Sequence, residues 1–256
     1  MKALVANLVK TLPIASALVW VLCLQSCTIL DGDRWPVGSR KIVLSFDDGP
    51  NPAINNALLE VLARHEVRAT FCLVGRNAQK YPEQVQRVIS DGHLLALHGY
   101  SRSYPAIWHY KTMLQEIELS KAALRTGAFA NPVVLQYYRP PRGLVTPTVN
   151  RLLSKGDMNL AYLSFYIHDA PLGPEDIEGL FEKLTQRIDE LKGGAIVLHE
   201  GRYKRAAEND NTVDKSWLPG FVDQLIVWAH GQGYEFVTYE DDPAGSQTDV
   251  MALSGK

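Results

Sequence analysis

The chain has 256 residues, 46% hydrophobic and 21% charged, which is enough to bury one large core and falls within the size of a single α/β barrel domain. Its 26 Lys and Arg against 28 Asp and Glu give a net charge of −2, with no run of five like charges, so the basic footprint of a nucleic-acid binder is absent.

Residues 1–26 read as an export signal. Lys2 and Lys10 supply a positive start, and "TLPIASALVWVLCL" from Thr11 to Leu24 is an apolar run too short and too poorly flanked for a membrane span. The following "LQSC", Leu24 to Cys27, resembles the lipobox of bacterial lipoproteins. That resemblance implies a lipid on Cys27 and, with Thr28 next in line, sorting to the outer membrane of a Gram-negative bacterium. An ordinary secretory signal or a short uncleaved anchor is the alternative. Loss of the two signal lysines takes the net charge to 24 − 28 = −4. Cys72, inside "ATFCLVG", is then the one thiol left in the body of the protein, with core packing as its expected role.

After a tether over 27–39, with Gly32, Pro36 and Gly38, strand and helix patterns alternate through a domain spanning 40–242, followed by a polar tail over 243–256. "KIVLSF" reads as a strand, "NNALLEVLARHEV" as a helix, "RATFCLVG" as a strand, "PEQVQRVISDG" as a helix and "HLLALH" as a strand. "MLQEIELSKAALRTG" is helical, "PVVLQYYRPPRG" a strand entering a Pro-rich loop, "PTVNRLLSKG" a helix and "NLAYLSFYI" a strand. "IEGLFEKLTQRIDELKGG" is helical, "AIVLHE" a strand, "WLPGFVDQLIVWAHGQG" a helix and "YEFVTYE" the last strand. Repeated βα units predict an α/β fold with a parallel sheet, closed or nearly closed as a barrel.

In such barrels the working residues sit where strands end. Here "KIVLSFDDGP" ends in Asp47 and Asp48, "HLLALH" in His98, "LQYYRPPRG" reaches Arg139, "LSFYIHDA" ends in Asp169 and "AIVLHE" carries His199. Adjacent acids are tolerable if each meets a cation. Alone, "DDG" is most often a turn former, and His65, His93, His109 and His230 read as structural or surface residues.

The ordered segments "SFDDGP", "GHLLALHGYS", "YRPPRG", "FYIHDA" and "AIVLH" resemble the successive motifs of the NodB-homology polysaccharide deacetylases, carbohydrate esterase family 4, over roughly residues 40–240. The resemblance implies that family's distorted (β/α) barrel as a single domain. It implies Asp47 as general base, Asp48 and His98 as metal ligands, Arg139 as the partner that keeps Asp47 ionised, and His199 as general acid oriented by Asp169. Leu198 would line the acetyl pocket, and the backbone N–H of Arg142 would stabilise the oxyanion. The implied cofactor is a divalent metal: zinc, or else cobalt, nickel or manganese. The implied substrate is an N-acetylated amino sugar in a cell-envelope or extracellular polysaccharide.

Three positions depart from the family pattern. Arg102 stands where the family has a third metal ligand, a histidine. A guanidinium neither loses its proton nor ligates a metal. Either Arg102 swings out and a metal stays on Asp48 and His98, or Arg102 forks onto Asp48 in the metal's place. His109, two helical turns further on, is about 10 Å away along a helix and out of reach. In "YIHDA", Tyr166 replaces an Asp and Ala170 a Trp, which widens the acyl pocket unless Trp217 fills it. The alternatives to a metal-dependent N-deacetylase are a metal-free carbohydrate-binding pseudoenzyme and an O-acetyl-sugar esterase.

Overall fold

The computed structural model describes residues 28–29, 34–102, 104–127, 133–156, 158–201 and 213–242. The export signal, Cys27 and the polar tail over 243–256 lie outside the described residues. Among the described residues no helix is long and apolar enough to cross a membrane.

The elements run β1 (Thr28–Ile29), β2 (Lys41–Asp47), α1 (Asn55–Arg64), β3 (Thr70–Leu73), α2 (Gly75–Lys80), α3 (Pro82–Ser90), β4 (Leu94–Leu97) and α4 (Tyr110–Gly127). They continue with β5 (Tyr137–Tyr138), β6 (Leu144–Val145), α5 (Pro147–Ser154), β7 (Asn159–Leu160), α6 (Leu180–Leu191), β8 (Gly194–His199), α7 (Leu218–Gly231) and β9 (Glu235–Val237). The main sheet has the order β7-β5-β4-β3-β2-β8, every neighbouring pair parallel. β2 is its axis. It pairs with β8 from Ile42 to Asp47, with β3 through Ser45 to Asp47, and with β9 through Lys41 to Val43. A strand flanked in this way is covered on both faces, which is why Ile42, Val43, Leu44 and Phe46 are all buried and why the segment reads as one apolar run.

The sheet curls so that its two ends approach. Ser164, beyond β7, donates its N–H to the Ala195 carbonyl of β8 at 2.8 Å, and its hydroxyl accepts from the Ala195 N–H at 2.9 Å. The distorted (β/α) barrel expected from sequence is therefore present, as one domain with helices outside and the strands' C-terminal ends at one mouth.

Two strands are shorter than the sequence pattern predicts. β5 stops at Tyr138 because Pro140 and Pro141 follow Arg139 and lack ladder donors. β7 stops at Leu160, although apolar residues continue to Ile167, because the next carbonyls are spent elsewhere. The Ala161 carbonyl accepts from Arg139 Nε at 3.0 Å, and that of Tyr162 accepts from Arg139 Nη2 and the Tyr239 hydroxyl. The short helix α2 was not expected, since "GRNAQK" carries no apolar period. Its first N–H groups instead bond to the Gly99 and Tyr100 carbonyls. The described part of the expected tether is docked: β1 pairs antiparallel with β6, and the N–H of Gly38 bonds the Leu191 carbonyl, as that of Arg40, the first domain residue, bonds the Lys192 carbonyl.

The turn after β2 rests on Glu200. Its backbone N–H bonds the Asp47 carbonyl at 2.9 Å, and its carboxylate accepts from the Asn51 N–H at 3.0 Å. A Cβ at Gly49 would run into that carboxylate, so only glycine fits this approach. Gly49→Ala should destabilise the fold by about 1–3 kcal/mol in urea unfolding, and a loss below about 0.5 kcal/mol would contradict this account of the turn.

Candidate active site

The mouth collects the residues singled out by sequence. Asp47 and His199 end β2 and β8 and are direct register partners; His98 follows β4 and Arg139 follows β5. Asp169 is the exception to the strand-end rule, since it lies nine residues beyond β7 in an irregular segment. Backbone strain concentrates here. Asp48 (φ +73°), Arg102 (φ +56°), Arg142 (φ +65°) and His168 (φ +60°) are all non-glycine residues in the left-handed region.

Arg139 is 1% exposed and spends its whole guanidinium. Nη1 donates to Asp47 Oδ1 at 2.7 Å and to Ser45 Oγ at 2.8 Å; Nη2 donates to the Tyr239 hydroxyl at 2.6 Å and the Tyr162 carbonyl at 3.4 Å; Nε donates to the Ala161 carbonyl. Burial pushes the Asp47 carboxyl up, but the charge of Arg139, followed by His98 and His199, outweighs it and holds Asp47 down at about 2. Asp47 is thus a permanently ionised acceptor at the bottom of the cleft.

The second dyad is His199 with Asp169. Asp169 Oδ1 lies 2.8 Å from His199 Nδ1, and Oδ2 accepts the His199 backbone N–H at 2.8 Å, so one carboxylate fixes both ring and backbone. Burial pushes the imidazole's pKa down, and Asp169 more than reverses it, so His199 sits above its ordinary value. Nε2, the outward nitrogen, lies 3.2 Å from the Tyr166 hydroxyl. Lys215, whose side chain is fully buried, donates to the Asp169 carbonyl at 2.7 Å and stands 3.9 Å from its Oδ2.

Asp48 and His98 form the third cluster. His98 Nδ1 is 2.9 Å from the Arg139 carbonyl, which can only accept, so Nδ1 carries a proton and Nε2 is the ring nitrogen left to face the acids. That atom faces Asp48 Oδ1 at 3.4 Å and Asp47 Oδ2 at 3.8 Å. Neither Asp48 oxygen accepts a well-formed hydrogen bond, although the residue is 1% exposed. An imidazole nitrogen and a buried carboxylate at this separation could hold a cation between them when the ring is unprotonated. Arg102 supplies one: its Nη1 stands 3.0 Å from Asp48 Oδ1. Burial raises the Asp48 carboxyl and Arg102 more than offsets this, leaving it lowered. Among the described residues no group of three or more His, Cys, Asp or Glu converges as a metal cage. Asp48 and His98 are the two residues here that could hold a divalent ion.

Leu198 is a correction. It is fully buried, and the two-residue period of β8 turns it away from the face that carries His199; Val197, in register with Ser45, shares that face. Arg142 sits on the Pro141–Gly143 turn, which packs beside Gly99 of the His98 loop. Ala170 is half-buried beside Asp169. Trp217 donates its indole N–H to the Leu172 carbonyl at 3.2 Å and packs edge-on against Phe221, so it braces the turn after Ala170. His109 is exposed, His65 bonds Asp223 at 2.6 Å, and His93 is held down at about 4 by burial, in keeping with surface and structural roles. Lys215 and Glu200 escaped the sequence reading. Glu200 had a visible signal, a carboxylate directly after a strand-end histidine; Lys215, in the polar stretch "VDKSW", had none.

Comparison with known proteins identifies the family and the fold. A family profile described as polysaccharide deacetylase matches residues 35–161. A chitooligosaccharide deacetylase of Bradyrhizobium sp. is 31% identical over 170 residues, covering 64% of this chain and 72% of the relative. The chain belongs to the polysaccharide deacetylase family. Another member of that family, the chitooligosaccharide deacetylase of Sinorhizobium fredii, is 24% identical over 201 residues, or 78% of this chain and 91% of the relative. The fold matches the crystal structure of the Bc1960 peptidoglycan N-acetylglucosamine deacetylase with a TM-score of 0.67 at 23% identity, covering 83% of this chain and 92% of that one.

Because Asp169 is what raises His199, Asp169→Asn should lower the imidazole pKa, read by NMR titration of the ring. An unchanged pKa would show that Asp169 only shapes the backbone.

Proposed function

We propose that the protein is a hydrolase that removes acetyl groups from N-acetylated amino sugars of a cell-envelope or extracellular polysaccharide. The observation that carries this reading is the pair of intact dyads in one mouth. Asp47 is held ionised by Arg139, and His199 is held as a proton donor by Asp169. Asp47 takes a proton from the attacking water as its oxygen bonds to the acetyl carbon. The Arg142 backbone N–H steadies the oxyanion, and His199 gives its Nε2 proton to the amine as the carbon–nitrogen bond breaks and acetate leaves. Tyr166 holds that proton's position until the substrate nitrogen arrives. Asp48 and His98 would hold a divalent cation, zinc first and then cobalt, nickel or manganese, which when bound would supply Lewis acidity to the carbonyl.

The reaction requires Asp47 charged and His199 protonated. Asp47, held down at about 2, should impose no acid limb near neutral pH, and the rate should fall as pH rises through the elevated His199 pKa. Acetate release from N-acetylglucosamine oligomers, with each metal added, is the test. Asp47→Asn should cost about 100-fold or more, and His199→Ala should also remove the alkaline limb. Activity of Asp47→Asn within tenfold of wild type would defeat the assignment.

A second reading, a metal-free carbohydrate-binding protein, is favoured by the Arg102–Asp48 contact, and binding of the oligomers without acetate release under every metal would establish it. Acetate release from O-acetylated sugars alone would establish an esterase.

"LQSC" supports delivery to the outer membrane through a lipid on Cys27. Cys27→Ser should move the protein from the membrane to the soluble fraction of the envelope, and unaltered membrane recovery would contradict the anchor.

A further inference from the structure

Two buried aspartates meet two arginines in this mouth, and the two pairs are built differently. Arg139 and Asp47 are 1% and 4% exposed, make a 2.7 Å hydrogen bond, and use every guanidinium donor on a fixed partner. Arg102 approaches Asp48 at 3.0 Å without forming a well-shaped hydrogen bond, and its Nε has no hydrogen-bond partner among the described residues. The Asp48 side chain is 1% exposed and that of Arg102 19%, so the acid is locked in while the guanidinium has a way out to solvent.

The backbone aims Arg102 at this spot. The N–H groups of Tyr100 and Ser101 both bond Glu116 Oε2, at 2.9 and 2.7 Å, and the Ser101 hydroxyl bonds Oε1 at 2.7 Å, which pins the loop to α4. Arg102 then adopts φ +56°, a conformation that a non-glycine residue holds only when its surroundings impose it. Asp47, Asp48 and Asp169 stand against Arg139, Arg102 and Lys215 in turn.

We propose that Arg102 is a built-in cationic latch: it occupies the cation position between Asp48 and His98 and must be displaced before a divalent ion can join those two donors. The latch deepens the deacetylase reading, because it rests on Asp48 and His98 being the ion-holding pair. Arg102 fills the role of the ion electrostatically, keeping Asp48 neutralised and the mouth folded, yet has no Lewis acidity to offer the reaction. Departure of Arg102 exchanges one positive charge for two at the same acid, so occupancy depends on free metal concentration.

Zinc titration by calorimetry, together with thermal unfolding with and without zinc, tests this on wild type, Arg102→Ala, Arg102→His and Arg102→Lys. Removing the guanidinium should tighten zinc binding by about tenfold or more in the Ala and His variants, whereas Lys, which keeps the charge, should stay near wild type. Without zinc, Arg102→Ala should melt below wild type because Asp48 loses its partner; with saturating zinc it should gain more in melting temperature than wild type does. Equal zinc affinity in wild type and Arg102→Ala overturns the latch, and so does the absence of zinc binding in all four proteins. Tighter zinc binding with no acetate release from any acetylated sugar leaves the latch standing and removes the deacetylase reading. Acetate release with unchanged zinc affinity does the reverse.

Discussion

The buried ion pair between Arg139 and Asp47 is the constraint on which the mouth of this barrel depends. Moving a guanidinium and a carboxylate out of water costs several kcal/mol per ion, and only good geometry with every remaining donor satisfied offsets it. The chain meets that demand from five directions: Asp47 and Ser45 from β2, the Ala161 and Tyr162 carbonyls beyond β7, and the Tyr239 hydroxyl. Local structure follows from this. β7 ends early because its carbonyls turn to Arg139, and the Tyr239 hydroxyl, which also donates to the Tyr162 carbonyl, ties the C-terminal segment to the same hub.

That hub sets the electrostatics of the whole site. Asp47 is held below its unfolded value, so its contribution to stability is present above the ordinary carboxylate pKa and lost as pH falls toward about 2. His199 is shifted the other way, so its contribution is complete below the ordinary imidazole value and lost as pH rises through the elevated one. The two dyads therefore both favour the folded, reaction-ready form between mildly acidic and neutral pH. Beside them lie Asp48 and His98, where the cation that faces Asp48 is the partly exposed Arg102.

Much of this was legible in the sequence, for physical reasons. β2 is an unbroken apolar run because parallel strands are covered on both faces, and Asp47, Asp48, His98, Arg139 and His199 announce themselves as polar residues ending such runs. What escaped depends on contacts that no local period encodes. The "NLAYLSFYI" run looks like one strand, but tertiary hydrogen bonds to Arg139 override its propensity. The family resemblance implied Leu198 as a pocket residue, yet strand alternation assigns that face to Val197. Tyr166 was visible as a substitution; its hydroxyl on His199 Nε2 was not, because that contact joins an irregular segment to a strand end.

A crystal structure of Asp47→Asn soaked with an N-acetylglucosamine oligomer tests most directly the claim that the space between the two dyads is a reaction centre. The acetamide group should lie between residue 47 and His199, with its nitrogen toward Nε2 in place of the Tyr166 hydroxyl and its carbonyl oxygen toward the Arg142 N–H. A sugar bound elsewhere on the barrel, with His199 still closed onto Tyr166, would contradict the account.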